Sequence, residues 1–153
     1  RQVISLSGDG GFTMMMGEML TLKQLNLPIK IFVFNNEELS FIAMEMKASG
    51  YLDYATDFVN PDFGKLAEAA GIKGVSIQNS SEVDEKIMEA LNHNGPVIVN
   101  VRVDKQELAM PPKIAYQQAK GFSKYLINAI LDGRGTELKE MAKTNWMKYK
   151  SLF

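Results

Sequence analysis

The chain of 153 residues has no cysteine and a single histidine. The first absence excludes disulfides, thiolate nucleophiles and cysteine-ligated metals. The second excludes a zinc site built from several imidazoles. There is no run of the roughly 18 apolar residues that a bilayer-spanning helix needs. Nor is there the basic excess of a nucleic-acid-binding domain: the net charge is −1, and no nucleic-acid partner is expected. The start, Arg1-Gln2-Val3-Ile4-Ser5-Leu6, has neither an initiator methionine nor the layout of a signal peptide. It runs straight into an apolar segment and reads as a cut edge, so the chain is expected to be a piece of a longer one.

What is present suffices for a folded domain. Hydrophobic residues make up 46% and charged residues 23%, a balance that argues against disorder. Apolar runs at 2–7, 29–34, 74–78 and 97–103, rich in Val, Ile and Phe, read as buried parallel strands. Between them, helices are expected at 13–26, starting near Thr13 and ended by Asn26-Leu27-Pro28, at 62–70, closed by Gly71, and at 81–92, capped by Ser80 or Ser81. Residues 37–61 show no regular pattern beyond a short helix near 40–47. Alternation of this kind predicts a three-layer α/β/α fold with a mainly parallel sheet. Past residue 105 the pattern changes. Pro111-Pro112 opens a helical extension with helices at 113–131 and 136–149, separated by Gly133-Arg134-Gly135. The expected division is 1–105 for the α/β domain and 106–153 for the extension.

The chemistry collects at the ends of the first two strands. A 14-residue helix carries the chain roughly 21 Å back along the sheet, and a seven-residue strand returns it roughly 23 Å. Asn36 is therefore expected on the same sheet edge as Asp9, at strand carboxyl ends, where open α/β sheets bind ligands. Gly8, Gly10 and Gly11 surround Asp9 and let an anion approach the backbone, and the following helix N-terminus favours one. A carboxylate inside an anion site requires a cation between the two. Magnesium suits the donors, since it takes oxygens from one or two carboxylates, amide or backbone carbonyls, water and phosphate. Asp9 and the Asn36 amide oxygen supply two. A backbone carbonyl just after Asn36 can supply a third, and a diphosphate most of the rest.

Gly8-Asp9-Gly10, a spacer of 24 residues, then Asn35-Asn36 resembles the thiamine diphosphate motif. The spacing and the strand–helix–strand context agree together, which a lone GDG turn would not achieve. The stretch GDGGFTMMMGEMLTLKQLNLPIKIFVFNN, with FIAMEMKASGYL after it, is similar to the bacterial pyruvate oxidases, including the quinone-reducing pyruvate dehydrogenases. KQELAMPPKIAYQQAKGFSKYLINAILDGRG and AKTNWMK resemble the C-terminus of the same group. The resemblance implies a diphosphate-binding domain of a pyruvate-oxidising enzyme that uses thiamine diphosphate, Mg2+ and FAD. Its product would be acetate or acetyl phosphate, with quinone or oxygen as acceptor. It implies Asp9, Asn36 and the Glu38 backbone carbonyl as metal ligands. Gly8, Asp9, Gly10, Gly11, Asn36, Glu37, Glu38, Leu39, Ser40, Phe41 and Ile42 would contact the cofactor. An aromatic at Phe41 would lie between thiamine and flavin, and a carboxylate at Glu45 near the substrate. The plainer reading of that pair is a core aromatic and a solvated acid.

The same resemblance implies partners. Pyrimidine-binding and FAD domains are absent from this chain, and the glutamate that activates the cofactor comes from a neighbouring subunit's pyrimidine domain. The chain is expected to work as part of a homo-oligomer acting on pyruvate, and to be inactive alone. Residues 134–153 carry five basic residues against two acidic ones, with Leu138, Met141, Ala142, Trp146 and Tyr149 at helical spacing. That helix fits either packing or a membrane surface. The expected location is cytoplasmic, with a peripheral membrane position at the inner face as the variant that the tail suggests. Acetolactate synthase or another 2-keto-acid decarboxylase is the alternative. A phospho-receiver module, suggested by Asp104-Lys105, is a remote one because the acidic pair it needs after the first strand is missing. His93 reads as an exposed turn residue, and Met14, Met15, Met16 and Met19 as packing material.

Overall fold

The computed structural model describes residues 1–106 and 115–150, with side chains described as far as 146. Pro111, Pro112, the first residues of the helix expected at 113–131 and the side chain of Tyr149 therefore lie outside the described residues. The chain forms two compact units. One takes in residues 1–37 and 58–103, the other 38–57 and the described residues from 104 onward.

The first unit is built on four parallel strands, β1 (Val3–Gly8), β2 (Ile29–Asn35), β3 (Lys73–Ile77) and β4 (Val97–Arg102), in the spatial order β1-β2-β4-β3. β2 and β4 are central, and the first four residues of β4 are all buried, as in a strand covered on both faces. Alternate residues of these strands enter opposite layers. Val33 and Ile98 pack with Phe12, Met19, Leu22, Phe63 and Ala67 on one face. Phe32, Val97 and Val99 pack with Ala90, Ile87 and Leu91 on the other. Helices thus lie on both faces, and the α/β architecture with a parallel sheet is as expected. The edge strand β1, however, is not the buried strand read from the sequence: Val3, Ile4 and Leu6 are exposed because no helix among the described residues covers them.

The helices differ from the reading at one end. α1 (Asp9–Met15) begins at Asp9 itself, not near Thr13. Gly10 and Gly11, which look like loop, lie inside it, and the Thr13 hydroxyl bonds back to the Gly10 carbonyl at 2.9 Å. A 3-10 turn at Met16–Glu18 separates α1 from α2 (Met19–Leu25), so the expected single helix is two short ones. Asn26 ends α2 in the left-handed region at φ 45°. α4 (Phe63–Ala69) is capped by Asp62, whose side chain accepts from the Gly64 and Lys65 amides. It lies hard against β3: a Cβ on Gly74 would fall 2.0 Å from the Gly64 carbonyl oxygen. α5 (Val83–Asn92) follows a 3-10 turn at Ser80–Glu82, and no serine side chain caps it. The Glu82 carboxylate holds that turn instead, accepting from the Gln78 amide and the Asn79 side chain. His93 has an exposed side chain, and its carbonyl accepts from the buried Lys30 ammonium at 2.7 Å.

The second unit is helical. α3 (Ser40–Ala48), α6 (Tyr116–Leu131) and α7 (Gly135–Lys150) pack around Tyr125, Ala129 and Met141, with Leu52, Phe122, Leu126 and Leu138 against them. α6 crosses α3 so closely that a Cβ on Gly121 would lie 1.9 Å from the Ala48 carbonyl oxygen. Leu138 and Met141, two members of the apolar stripe of α7, are spent in this core. Ala142 and Trp146 face solvent. Among the described residues, no helix is long and apolar enough to cross a membrane.

Candidate functional site

β1 and β2 are direct neighbours, with Gly8 paired to Phe34. Asp9 and the Asn35-Asn36 pair therefore leave the sheet side by side at its carboxyl edge. Asp9 is 2% exposed, and its carboxylate is held from three segments. Its Oδ1 accepts from the Gly10 amide at 2.8 Å. Its Oδ2 accepts from the Glu37 amide at 2.7 Å and from Asn60 Nδ2 at 2.8 Å. These donors are all neutral, and among the described residues Asp9 makes no ion pair. Because α1 starts at Asp9, the Gly10 amide is turned onto the carboxylate.

Glu37 makes this possible through its backbone. It sits at φ 60°, a left-handed conformation that costs a non-glycine residue about 1 kcal/mol or more. The turn aims its amide at Asp9, while its carbonyl accepts from the Phe58 amide at 2.8 Å. Its side chain meets Arg102 at 2.9 Å.

Asn35 is also buried. Its Nδ2 donates to Asn100 Oδ1 at 3.0 Å, and its Oδ1 accepts from Asn60 Nδ2 at 3.1 Å. It braces the loop, and Asn36, the next residue, is half-buried just past the strand end. Asn60 and Asn100 were not among the candidates read from the sequence. Asn100 carries a usable signal, since a polar residue inside the apolar run Val97–Val101 needs a partner when buried.

The remaining candidates are divided by place. Gly8 is the last residue of β1, and Gly10 and Gly11 are in the first turn of α1. Glu38, Leu39, Ser40, Phe41, Ile42 and Glu45 belong to the second unit. Glu38 is buried, and burial pushes its carboxyl above the usual carboxylate range against the pull of Lys47 and Lys105. The Leu39 amide donates to the Thr56 carbonyl at 2.8 Å. Phe41 is 75% exposed, Ile42 is exposed, and Glu45 faces solvent one turn after Phe41 on α3.

The donor set fits a hard divalent cation that a ligand helps to hold. Among the described residues no cluster of three or more histidine, cysteine or acidic side chains could bind a metal alone. A carboxylate with no ion pair among the described residues and an asparagine just past the neighbouring strand are donor types that suit Mg2+ when phosphate oxygens complete its shell. Asp104 and Lys105 do not form a phospho-acceptor pair. Asp104 accepts from the Gln106 amide and the Thr144 hydroxyl, and Lys105 pairs with Asp57.

Residues 1–101 match the family of the thiamine pyrophosphate enzymes, C-terminal TPP binding domain, and the chain belongs to that family. It is 38% identical over 144 residues to the "Putative thiamine pyrophosphate-containing protein YdaP" of Bacillus subtilis, covering 94% of this chain and 25% of that protein. It is 37% identical over 110 residues to the mitochondrial acetolactate synthase catalytic subunit of Saccharomyces cerevisiae, covering 71% and 16%. It is 34% identical over 113 residues to a probable acetolactate synthase large subunit of Methanocaldococcus jannaschii, covering 71% and 19%. The chain thus spans a quarter or less of the length of these relatives.

Proposed function

We propose that this chain holds the diphosphate and magnesium of thiamine diphosphate in an enzyme that acts on pyruvate or a similar 2-keto acid, with carbon–carbon chemistry of the acetolactate synthase kind. The observation that carries the cofactor part is the placing of Asn36 beside a buried Asp9, which makes no ion pair among the described residues, at the carboxyl edge of adjacent parallel strands. The relatives named as acetolactate synthases support the reaction class, and they favour it over the pyruvate oxidation implied by the first resemblance.

The chain's own residues do positional work in this reading. Asp9 and the Asn36 amide hold the cation that neutralises the diphosphate. The Gly8–Gly11 backbone gives the diphosphate close access. When bound, thiamine diphosphate supplies the carbon nucleophile that attacks the keto group and the electron sink that lets carbon dioxide leave.

One observation favours a second reading, pyruvate oxidation with FAD and a quinone or oxygen acceptor. The match to the Bacillus protein runs over 144 residues and takes in most of both units, whereas the acetolactate synthase matches run over 110 to 113. The sequence feature behind this reading is the C-terminal stretch that resembles the oxidases.

Product analysis separates the two. The full-length enzyme, given pyruvate, thiamine diphosphate, Mg2+ and FAD, is expected to form acetolactate without reducing an added dye. Dye reduction with acetate or acetyl phosphate as product would overturn the first reading in favour of the second. In either case, Asp9→Ala is expected to abolish magnesium-dependent binding of thiamine diphosphate. Unchanged affinity in that variant would refute the cofactor assignment itself.

A further inference from the structure

We propose that Asn60 is a positioning residue for the metal site, fixing Asp9 and Asn35 through one side-chain amide. This rests on Asp9 being the metal ligand of the reading above. Nδ2 of Asn60 lies 2.8 Å from Asp9 Oδ2 and 3.1 Å from Asn35 Oδ1. An amide NH2 has two hydrogens, so it can give one to each acceptor and tie the ends of β1 and β2 together. The network sets the orientation of the amide: reversed, its carbonyl oxygen would face the Asp9 carboxylate. Asn35 passes the chain on to Asn100 in β4 at 3.0 Å. The carboxylate that meets the cation is thereby referred to three strands of the sheet.

The support of Asn60 is itself rigid. Pro61 follows it and restricts its backbone. Asp62 comes next, its Oδ1 accepting from the Gly64 amide at 2.9 Å, the Lys65 amide at 3.2 Å and the Ser76 hydroxyl at 2.6 Å. Phe63, fully buried, pins the loop and stacks edge-on to Phe12 of α1 at 5.1 Å between ring centres. The segment 60–63 thus joins the loop, α4 and β3, and it delivers one neutral donor to Asp9. A neutral donor orients a carboxylate without cancelling its charge. A lysine there would orient it equally well and repel the cation. Partners of this kind behind a metal ligand typically govern 10- to 100-fold of metal affinity.

The test is calorimetric titration of Mg2+ into the full chain with thiamine diphosphate present. Wild type is compared with Asp9→Ala, Asn60→Ala, Asn60→Ser and Ile77→Val, each also melted without metal. Serine is too short to reach both acceptors, so both Asn60 variants should weaken Mg2+ binding by roughly 10- to 100-fold. Ile77 lies in the core on the other face of the sheet. Its variant should lower the melting temperature and leave Mg2+ affinity within twofold. A role confined to folding would make affinity follow melting temperature in both kinds of variant, and that result overturns the proposal. Mg2+ affinity within twofold of wild type in either folded Asn60 variant also overturns it, as does failure of both to fold. Wild type without magnesium-dependent cofactor binding would instead defeat the underlying reading, and an unaffected Asp9→Ala would remove Asp9 as the ligand.

Discussion

The two units each hold acidic side chains at least partly out of solvent, and they treat the charge in opposite ways. In the first, Asp9 is surrounded by the amides of Gly10, Glu37 and Asn60. In the second, Asp53 and Glu137 are surrounded by cations. Lys47, itself nearly buried, lies 3.3 Å from Glu137 and 3.9 Å from Asp53, and Arg134 lies 3.0 Å from Asp53. The Tyr125 hydroxyl adds a bond to Glu137 at 3.3 Å, and the Lys47 ammonium stands 5.6 Å from the centre of its ring. In the second arrangement each acid is met by a cation. The first is held in place yet keeps a net negative charge. Burial alone would not distinguish a structural carboxylate from a binding one; on the proposed reading of Asp9, the charge of its partners does.

The largest expected effect belongs to the closed network. Lys47→Met should destabilise the chain by roughly 3 kcal/mol, the low end for breaking a buried ion pair. The low end applies because Arg134 stays with the two acids and Glu137 is partly exposed. Urea unfolding measures it. A loss under 1 kcal/mol would show that the network carries little energy and would blunt the comparison.

Next comes Asp9→Asn, which keeps shape and removes charge. Magnesium affinity should fall about 100-fold, comparable to the loss of a metal-ligand charge or of its orienting partners. Stability without metal should stay within about 1 kcal/mol of wild type, because relief of a buried charge offsets one donor facing another donor at Gly10. Calorimetry and metal-free melting read the two quantities separately. A large loss of metal-free stability would make Asp9 a structural carboxylate after all.

Asp9 and Asn36 were legible because their spacing is a property of the chain order: one strand, one helix and one strand return to the same edge. The four strands were legible because each is a short run rich in Val, Ile, Leu or Phe, although β1 turned out exposed and Lys30 and Asn100 are buried polar exceptions. Asn60 was not. It lies 51 residues from Asp9 in sequence, in an irregular stretch, and no periodicity links a loop amide to a carboxylate across the fold. The early start of α1 was hidden by Gly10 and Gly11, whose low helix propensity is overridden by the packing of Phe12 into the core. The grouping of α3 with α6 and α7 has the same character. It depends on the close approach that Gly121 allows, and a single glycine in a helical pattern does not announce a partner some 70 residues earlier.

A smaller effect concerns alkaline pH. Burial, with Glu137 and Asp53 nearby, raises the Tyr125 phenol well above its ordinary value of 10.0. A group whose folded pKa is raised adds stability below its unfolded pKa and loses it as pH climbs toward the folded value. Stability should therefore decline above about pH 10, by at most ~1.4 kcal/mol per pH unit from this group. Tyr125→Phe should remove that part of the decline. Unfolding of both proteins between pH 8 and 11 tests it; parallel curves would mean that the phenol ionises freely.

The smallest effect tests what Glu37 contributes to the open site. Its amide binds Asp9, whereas its side chain only pairs with an Arg102 that is itself half-exposed. Glu37→Gly keeps the amide and relieves a left-handed backbone, a gain of about 1 kcal/mol or more. Against this stand the greater freedom of glycine in the unfolded chain, about 0.5–1 kcal/mol, and loss of an exposed ion pair, about 0.5 kcal/mol. The terms nearly cancel, so stability should change by no more than about 0.5 kcal/mol. Magnesium affinity, measured by the same calorimetry, should stay within threefold, since the donor to Asp9 Oδ2 remains. A tenfold loss would mean that the Glu37–Arg102 pair holds the turn in register. The open site would then depend on a charged contact as well as on neutral donors, and the contrast with the second unit would be one of degree.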